Sequence, residues 1–449
     1  MIPNSPETHG ELAESIPSSQ GSSATEAASM KPVRGRIDSI DLLRGIVMVV
    51  MMLDHTRDFV HRYVFQGFDP SDLAHTSVKL FFTRWITHFC APVFVFLAGT
   101  GTYLQLARGK SKRELSRFLV TRGLWLIVLE FTWVRISFQF NVDYRFLGVM
   151  QVIWVIGLSM ILMAALIHLP LRVVGAFGIA MIALHNLLDR FHLQGWQGPA
   201  SAVPSYGAKL FMILHQAFEA FPVVGFPSPV VVVIYPLIPW IGVMAAGYAF
   251  GAIYQKSVQQ RRRLLIMMGS GVTILFIVLR LINHYGDPSH WSRQGSFTFT
   301  VLSFLNTTKY PPSLDYLLMT LGPALLALAL FESKFESNSV AWQQFPSPSF
   351  LDSFRNAFVT FGRVPLFFYL LQWPTAHFIS VLVHLAAGKP VGWMFGGNAG
   401  PGFAAPPNAG FNLAVVYACW IAGVLLLYPL CKWFAGVKAR RRDWWLSYL

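Results

Sequence analysis

Ionisable residues occupy both ends of one apolar stretch, RIDSIDLLRGIVMVVMMLDHTRD, which runs from residue 36 to residue 58. In a helix, the 11-residue step from Arg44 to His55 turns the chain about 20° more than three whole turns and rises roughly 16 Å. Arg44 and His55 therefore share one face, and Asp58 follows His55 by three residues on that face. Because ionisable groups inside a membrane helix are costly and usually functional, this stripe is the first candidate site.

The residue types in this stripe suit proton transfer and anion binding. An imidazole such as that of His55 titrates near neutral pH, so it can take a proton from a hydroxyl or amine, or accept an acyl group itself. Asp58 is placed to orient the ring, and Asp54 and Arg57, three residues apart, are placed to pair with each other. Arg44 is a candidate contact for an anionic group such as a phosphate, or it pairs with Asp41 on the same helix face. Asp38 and Asp41 fit the capping of the helix N-terminus as well as they fit a functional role.

The composition indicates a membrane protein. Apolar residues make up 54% of the chain, charged residues only 12%, and the mean hydropathy is +0.50, which together exclude an ordinary soluble domain. Residues 1–35 are rich in Ser, Ala, Glu and Pro, and we predict a disordered cytoplasmic tail without a cleavable signal peptide. The spacing of Cys90, Cys419 and Cys431 predicts neither a disulfide framework nor a metal site.

An all-α polytopic fold follows, with about ten transmembrane helices in a domain over residues 36–436. The predicted spans are 40–60, 80–107, 117–138, 146–167, 170–189, 229–253, 263–283, 315–333, 357–386 and 411–436. With a cytoplasmic N-terminus, this count places every basic cluster on the cytoplasmic side, including a basic C-terminal tail at 437–449. The net charge of +14 is thereby explained by topology, and nucleic-acid binding is not needed.

The second predicted span and the first external loop add further ionisable residues near the external end of span 1. The segment FFTRWITHFC brings Arg84 and His88 back toward His55. The loop before it contributes Asp69 and Asp72. Three residues before span 8 are also external polar candidates: Asn306, Lys309 and Tyr310.

These residues resemble a known family. An Arg, ten residues and then a His on the first helix is typical of acyltransferase family 3 membrane enzymes. The wording SIDLLRGIVMVVMMLDH is still more similar to the heparan-α-glucosaminide N-acetyltransferase-like catalytic domain and its bacterial members. Further similar stretches are FTRWITHFCAPVFVFLAGT, NTTKYPPSLDYLLMTLGP and FGRVPLFFYLLQWP, so the resemblance covers about residues 34–436.

Two positions depart from the family pattern. Bacterial relatives often read YLLH where this chain has Tyr369-Leu370-Leu371-Gln372, which leaves His377 as the nearest histidine on that helix. In eukaryotic relatives the position matching His55 is similar to Asn, with the acting histidine further along the chain. The resemblance alone leaves the choice between His55 and His88 open.

The resemblance implies transfer of an acyl group, usually acetyl, from cytoplasmic acyl-CoA to a carbohydrate or glycan across the cell (inner) membrane, without a metal. Within that scheme we predict His55, Asp58 and His88 as catalytic residues and Arg44 as a contact of the acyl-CoA. The predicted acceptor contacts are Asp54, Arg57, Arg84, Asp69 and Asp72.

A different class also accommodates these residues. Proton-coupled transporters use intramembrane Asp, His and Arg side chains, and Gly/Pro-interrupted segments can form broken helices. Against this alternative, the two halves of the chain show no internal repeat, and the charged stripe is confined to spans 1 and 2. Arg84 can equally reach the membrane interface as a snorkelling side chain, and His88 can be a hydrogen-bonded structural histidine.

Overall fold

A computed structural model describes residues 36–341, 350–395, 405–441 and 443–449, so the predicted tail at 1–35 lies outside the described residues. The helices are α1 Asp38–Val60, α2 Arg62–Phe65, α3 Val78–Trp85, α4 Cys90–Ala107, α5 Lys112–Leu129, α6 Arg135–Gln139, α7 Val152–Leu166, α8 Leu171–Leu184, α9 Tyr206–His215, α10 Leu237–Phe250, α11 Val258–Ile282, α12 Phe297–Leu305, α13 Leu314–Ala341, α14 Phe350–Arg363, α15 Pro365–Ala386 and α16 Leu413–Arg440. Shorter 3₁₀ helices lie at Ile86–Phe89, His185–Leu188, Gly251–Gln255, Gly392–Phe395 and Trp444–Ser447, and a π-helical turn at Glu130–Val134 joins α5 to α6. The all-α polytopic prediction is confirmed.

In the part of the chain that the structure describes, seven helices are long and apolar enough to cross a membrane. They are Val78–Ala107, Leu171–Leu188, Leu237–Gln255, Val258–Ile282, Leu314–Glu332, Pro365–Ala386 and Leu413–Arg440. α1 is long enough to cross a membrane, but its four aspartates and two arginines make it too highly charged to be included. α7 is apolar but shorter than these seven helices. The total of ten spans and the cytoplasmic position of both termini therefore stay predictions.

Three predicted spans have different boundaries in the structure. Residues 146–150 and 230–233, placed at the starts of two spans, instead form strands β1 (Phe146–Met150) and β3 (Val230–Val233). With β2 (Glu219–Pro222) they make a sheet in the order β1-β3-β2, in which β3 pairs parallel to β1 and antiparallel to β2. The span at 357–386 is divided between α14 and α15, because the residue before Pro365 is restricted away from helical geometry.

α1 occupies a central position in the bundle. It packs against α4, α13, α14, α15 and α16, and its apolar side chains belong to one continuous buried core. The approach to α14 is closest at two glycines, since a Cβ atom on Gly45 would lie 1.8 Å from the carbonyl oxygen of Phe358. A Cβ atom on Gly362 would likewise lie 1.8 Å from the carbonyl oxygen of Asp41. The two helix backbones are therefore in direct contact, and no side chain fits between them.

We expect Gly362→Ala to destabilise the folded protein, because the added methyl group must push α14 away from α1. Overpacking of this kind costs about 1–3 kcal/mol, and the rigid backbone contact favours the upper end of that range. Gly271→Ala in α11 is the matched control, since no atom lies within 4 Å of its added Cβ and alanine is the better helix former. The measurement is the fraction of each variant that remains monodisperse in detergent after heating, and equal survival of both variants would contradict the expectation.

Candidate active site

Asp54 is the centre of a buried ionic cluster near the C-terminal end of α1. Arg84 Nη1 donates to both of its carboxylate oxygens, at 2.9 and 2.8 Å, and Arg57 Nη2 lies 2.8 Å from one of them. Lys309 Nζ is 3.5 Å from the same carboxylate. Three cations therefore surround one carboxylate, and the pairing offsets the cost of burying each of these charges.

Local capping interactions place these side chains. The Ser77 side chain accepts a hydrogen bond from the backbone N–H of Leu80 at the start of α3, whose last turn presents Arg84. The loop carrying Lys309 is held by two other residues outside the cluster. Buried Arg280 donates to the carbonyls of Ser303, Phe304 and Asn306, while Asp287 accepts from the backbone of Thr308 and the hydroxyl of Ser313.

The His55 ring is held by an aromatic contact. Its centroid lies 3.8 Å from that of Trp373 in α15, and the two planes are tilted by 35°. Trp373 is itself fixed by edge contacts with Phe59 and Phe138, at 6.2 and 5.4 Å between centroids. The indole therefore sets the orientation of the imidazole.

The structure does not join Asp58 to His55 by the hydrogen bond that the predicted orienting role requires. The nearer carboxylate oxygen of Asp58 is 4.0 Å from Nδ1 of His55, which is longer than a hydrogen bond. Asp58 instead accepts a hydrogen bond of 2.6 Å from Nη2 of Arg57, and the buried Nδ1 of His55 has no hydrogen-bond partner. Asp58 thus extends the ionic cluster through Arg57.

His88 lies in the 3₁₀ helix that joins α3 to α4, and it is buried. Its ring centroid is 5.3 Å from that of Tyr316, whose hydroxyl donates to the backbone carbonyl of His88 at 2.7 Å. The His88 ring interacts electrostatically with the charges of Arg84, Lys309 and Asp54. The structure therefore brings His88 to the same cluster, and its buried Nδ1 makes no hydrogen bond.

The two loop carboxylates differ in their relation to the cluster. Asp69 accepts hydrogen bonds from the backbone and hydroxyl of Ser71 at 2.8 and 2.6 Å. Burial opposes ionisation of Asp69, but the charge of Arg84 and these hydrogen bonds lower its pKa below the ordinary value. Asp72 lies in an exposed turn, where its bond to His75 lowers its pKa. Asp69 therefore adjoins the ionic cluster, whereas Asp72 stabilises an exposed turn of the loop.

A cavity of about 510 Å³ runs beside the other half of α1. It follows α1 from Arg36 through Arg44 to Met51 and continues along α4, α7 and the start of α15. Among its lining residues Asp41 is the only acid, and it pairs with Arg36 at 2.5 Å and with Arg44 at 3.4 Å. We call this space the basic cavity because its lining includes six cationic residues: Arg36, Arg44, Arg108, Lys110, Arg122 and Lys438.

The segment 443–449 packs beside the basic cavity. Ser447 lines the cavity, and its carbonyl accepts a hydrogen bond from Arg122. Tyr448 and Thr121 share a hydrogen bond of 2.7 Å between their hydroxyls, and Leu446 is buried. α16 continues to Arg440, so residues 437–440 of the predicted tail are helical, and a 3₁₀ helix follows at Trp444–Ser447.

The family model for the catalytic domain of heparan-alpha-glucosaminide N-acetyltransferase matches residues 36–282, which is more than half of the chain. The chain belongs to this family. Membership confirms the resemblance seen in the sequence and makes the protein a membrane acetyltransferase. No curated protein matches the chain significantly.

The family segment includes only part of the observed site. It contains α1, the Arg84–His88 turn and most of the basic cavity, whereas Lys309 and Trp373 lie beyond it. Trp373 escaped the sequence analysis because an aromatic residue in an apolar helix ordinarily predicts packing. The available signal was Gln372, the residue of α15 at which the sequence departs from the expected family pattern. Gln372 is fully buried, and both polar atoms of its side chain lack partners.

Proposed function

We propose that the protein transfers an acetyl or other short acyl group from cytoplasmic acyl-CoA to an extracytoplasmic carbohydrate acceptor across the cell membrane. The observation that carries this proposal is the basic cavity, which follows the same helix that bears His55. Its innermost α1 residue, Met51, precedes His55 by one helical turn, or roughly 6 Å. A thioester entering from the basic end would thus approach the imidazole.

The charge of the basic cavity supports an acyl-CoA donor. Coenzyme A carries a pyrophosphate and a further phosphate, and arginine and lysine side chains bind such groups through charge-assisted hydrogen bonds. Beyond these cations the cavity is lined by apolar residues such as Met48, Leu97 and Ile153. This arrangement suits a polyanionic head followed by a thin, less polar arm.

The opposite end of α1 supports the acceptor side of the reaction. We propose that His55 removes a proton from the acceptor hydroxyl or amine as it attacks the thioester, with His88 assisting in the same cluster. The alternative is that His55 is acylated first and passes the group on. Asp54, Arg57 and Arg84 supply fixed charges beside the acceptor, and Asp69 adjoins them from the loop.

The decisive experiment follows the acyl label. Sealed inverted membrane vesicles containing the protein are supplied with acyl-labelled acetyl-CoA, and the carbohydrate fraction inside the vesicles is then examined. We expect label to appear in glycan with wild-type protein and to be absent with His55→Ala. A transporter would leave the label on coenzyme A, and that result would overturn the proposal.

Arg44→Ala tests the donor side separately. Loss of a charge-assisted contact with a donor phosphate costs about 1.5–3 kcal/mol, so the apparent KM for acetyl-CoA should rise about 10- to 150-fold. The effect on the acceptor KM should be smaller. Lysine at this position should recover part of the loss, because it keeps the charge but not the bidentate geometry.

Asp41→Asn provides the control for this prediction, because Asp41 pairs with Arg44 at 3.4 Å. If Arg44 only anchors the helix through that pair, both variants should lower the amount of folded protein and leave the donor KM unchanged. Donor KM is therefore measured for both variants and normalised to folded protein. An unchanged KM in Arg44→Ala would exclude the contact.

A further inference from the structure

Tyr369 combines a position in the wall of the basic cavity with an unpaired hydroxyl. Its side chain lines the basic cavity, and only 3% of the residue is exposed. Its hydroxyl is buried without a hydrogen-bond partner. An unpaired buried hydroxyl costs about 1–3 kcal/mol, and a ligand in the basic cavity would supply the missing hydrogen-bond partner.

The position of Tyr369 relates it directly to His55. The rings of Tyr369 and Trp373 meet edge to face, with centroids 6.4 Å apart and planes at 78°. The indole of Trp373 in turn contacts the imidazole of His55 at 3.8 Å. Tyr369 and His55 therefore both contact one indole, and the Tyr369 ring also borders the basic cavity.

We propose that the Tyr369 hydroxyl is a catalytic hydrogen-bond donor to the thioester carbonyl oxygen of the acyl donor. This inference rests on the proposed acyl transfer from acyl-CoA, and it assigns the group that stabilises the developing oxyanion. The hydroxyl donates to no group in the structure, and its polar neighbour, the indole N–H of Trp373, can only donate, so the hydroxyl proton is available to a ligand in the cavity. A hydrogen-bond donor that is fixed in a buried, apolar site stabilises the transition state far more than a donor in water does.

In the direct route, the acceptor oxygen or nitrogen forms a bond to the carbonyl carbon while His55 takes the acceptor proton. The carbonyl π electrons move to oxygen, giving a tetrahedral intermediate whose negative oxygen receives the Tyr369 hydrogen bond. The carbonyl then re-forms, the carbon–sulfur bond breaks, and the departing thiolate takes the proton from His55. Tyr369 keeps its own proton throughout.

Tyr369→Phe is the test, because it removes one oxygen and keeps the ring against Trp373. Loss of one oxyanion donor lowers kcat by about 100- to 1,000-fold. We expect a fall of that size in the purified full-length protein, with the KM for acetyl-CoA nearly unchanged. A change confined to KM would show that the hydroxyl only binds the donor, and it would overturn the inference.

Tyr254→Phe is the matched control. Tyr254 is also buried with an unpartnered hydroxyl, but it is not among the residues that line the basic cavity. We expect wild-type kcat from this variant. That result would show that removing a buried hydroxyl does not in itself lower kcat. Wild-type kcat from Tyr369→Phe would overturn the inference while leaving acyl transfer intact. Absence of transfer by the wild-type protein would instead refute the proposed function.

Discussion

Replacing His55 with alanine is expected to lower the rate of acyl transfer about 100- to 10,000-fold while the protein remains folded in the membrane. This range is the usual contribution of a positioned general base. The loss would be deeper still if the ring itself carries the acyl group. The substitution leaves the ionic cluster intact, because the Nδ1 atom of His55 makes no hydrogen bond and lies 4.0 Å from Asp58.

The measurement compares initial rates of purified His55→Ala and His88→Ala, each normalised to the monodisperse fraction in detergent. We expect a smaller loss from His88→Ala, whose contacts with Tyr316 fit an orienting or acceptor-binding role. Full activity in His55→Ala together with none in His88→Ala would reverse the two assignments. That result would leave the family assignment unaffected.

Replacing Asp54 with asparagine is expected to cost about 3–5 kcal/mol in the free energy of unfolding. The substitution removes the carboxylate that Arg57, Arg84 and Lys309 share. Arg57 keeps its pair with Asp58, whereas Arg84 and Lys309 stay buried without their ion-pair partner. Removing one partner of a buried ionic cluster is strongly destabilising for this reason. The measurement is the equilibrium between folded and unfolded protein as SDS is added to the detergent-purified chain.

Two variants make this prediction specific to charge. Asp58→Asn also removes a carboxylate beside Arg57, but the side chain is 36% exposed, so we expect a cost of about 1 kcal/mol or less. In the second variant, Asp54→Asn is combined with Lys309→Met, which removes one uncompensated cation and should recover part of the stability. Wild-type stability of Asp54→Asn alone would contradict the prediction, because it would show that the three cations do not depend on this carboxylate.

Sequence reasoning worked best where one helix carries the pattern. The periodicity of α1 placed Arg44 and His55 on one face, and the motifs in spans 1 and 2 indicated the family. It worked less well for β1 and β3, because a short apolar run is compatible with a buried strand or with a helix. The choice of strand over helix depends on the pairing of β1 with β3, for example of Val149 with Val232, and these residues are distant in the sequence.

The basic cavity was not predictable from residue types alone. Arg36, Arg122 and Lys438 lie far apart in the chain, and the positive-inside rule already explains clusters of cations on the cytoplasmic side. The fold brings the segment before α1, the middle of α5 and the end of α16 to one cavity. Similarly, Tyr369 and Trp373 differ from ordinary packing aromatics only by what they contact, which appears once α15 lies against α1.

The sharing of Asp54 between α1 and α3 has a consequence for biogenesis. Transferring α1 alone from the translocon into lipid would carry Asp54, Arg57 and Asp58 near its C-terminal end. A charged residue costs about 2.5–3.5 kcal/mol on insertion scales at the centre of a helix and less toward its ends. Arg84, which pairs with Asp54 at 2.8 Å, is synthesised 30 residues later. We therefore expect α1 to be held at the protein-conducting channel until Arg84 emerges, so that α1, α3 and α4 enter the bilayer as one helical hairpin.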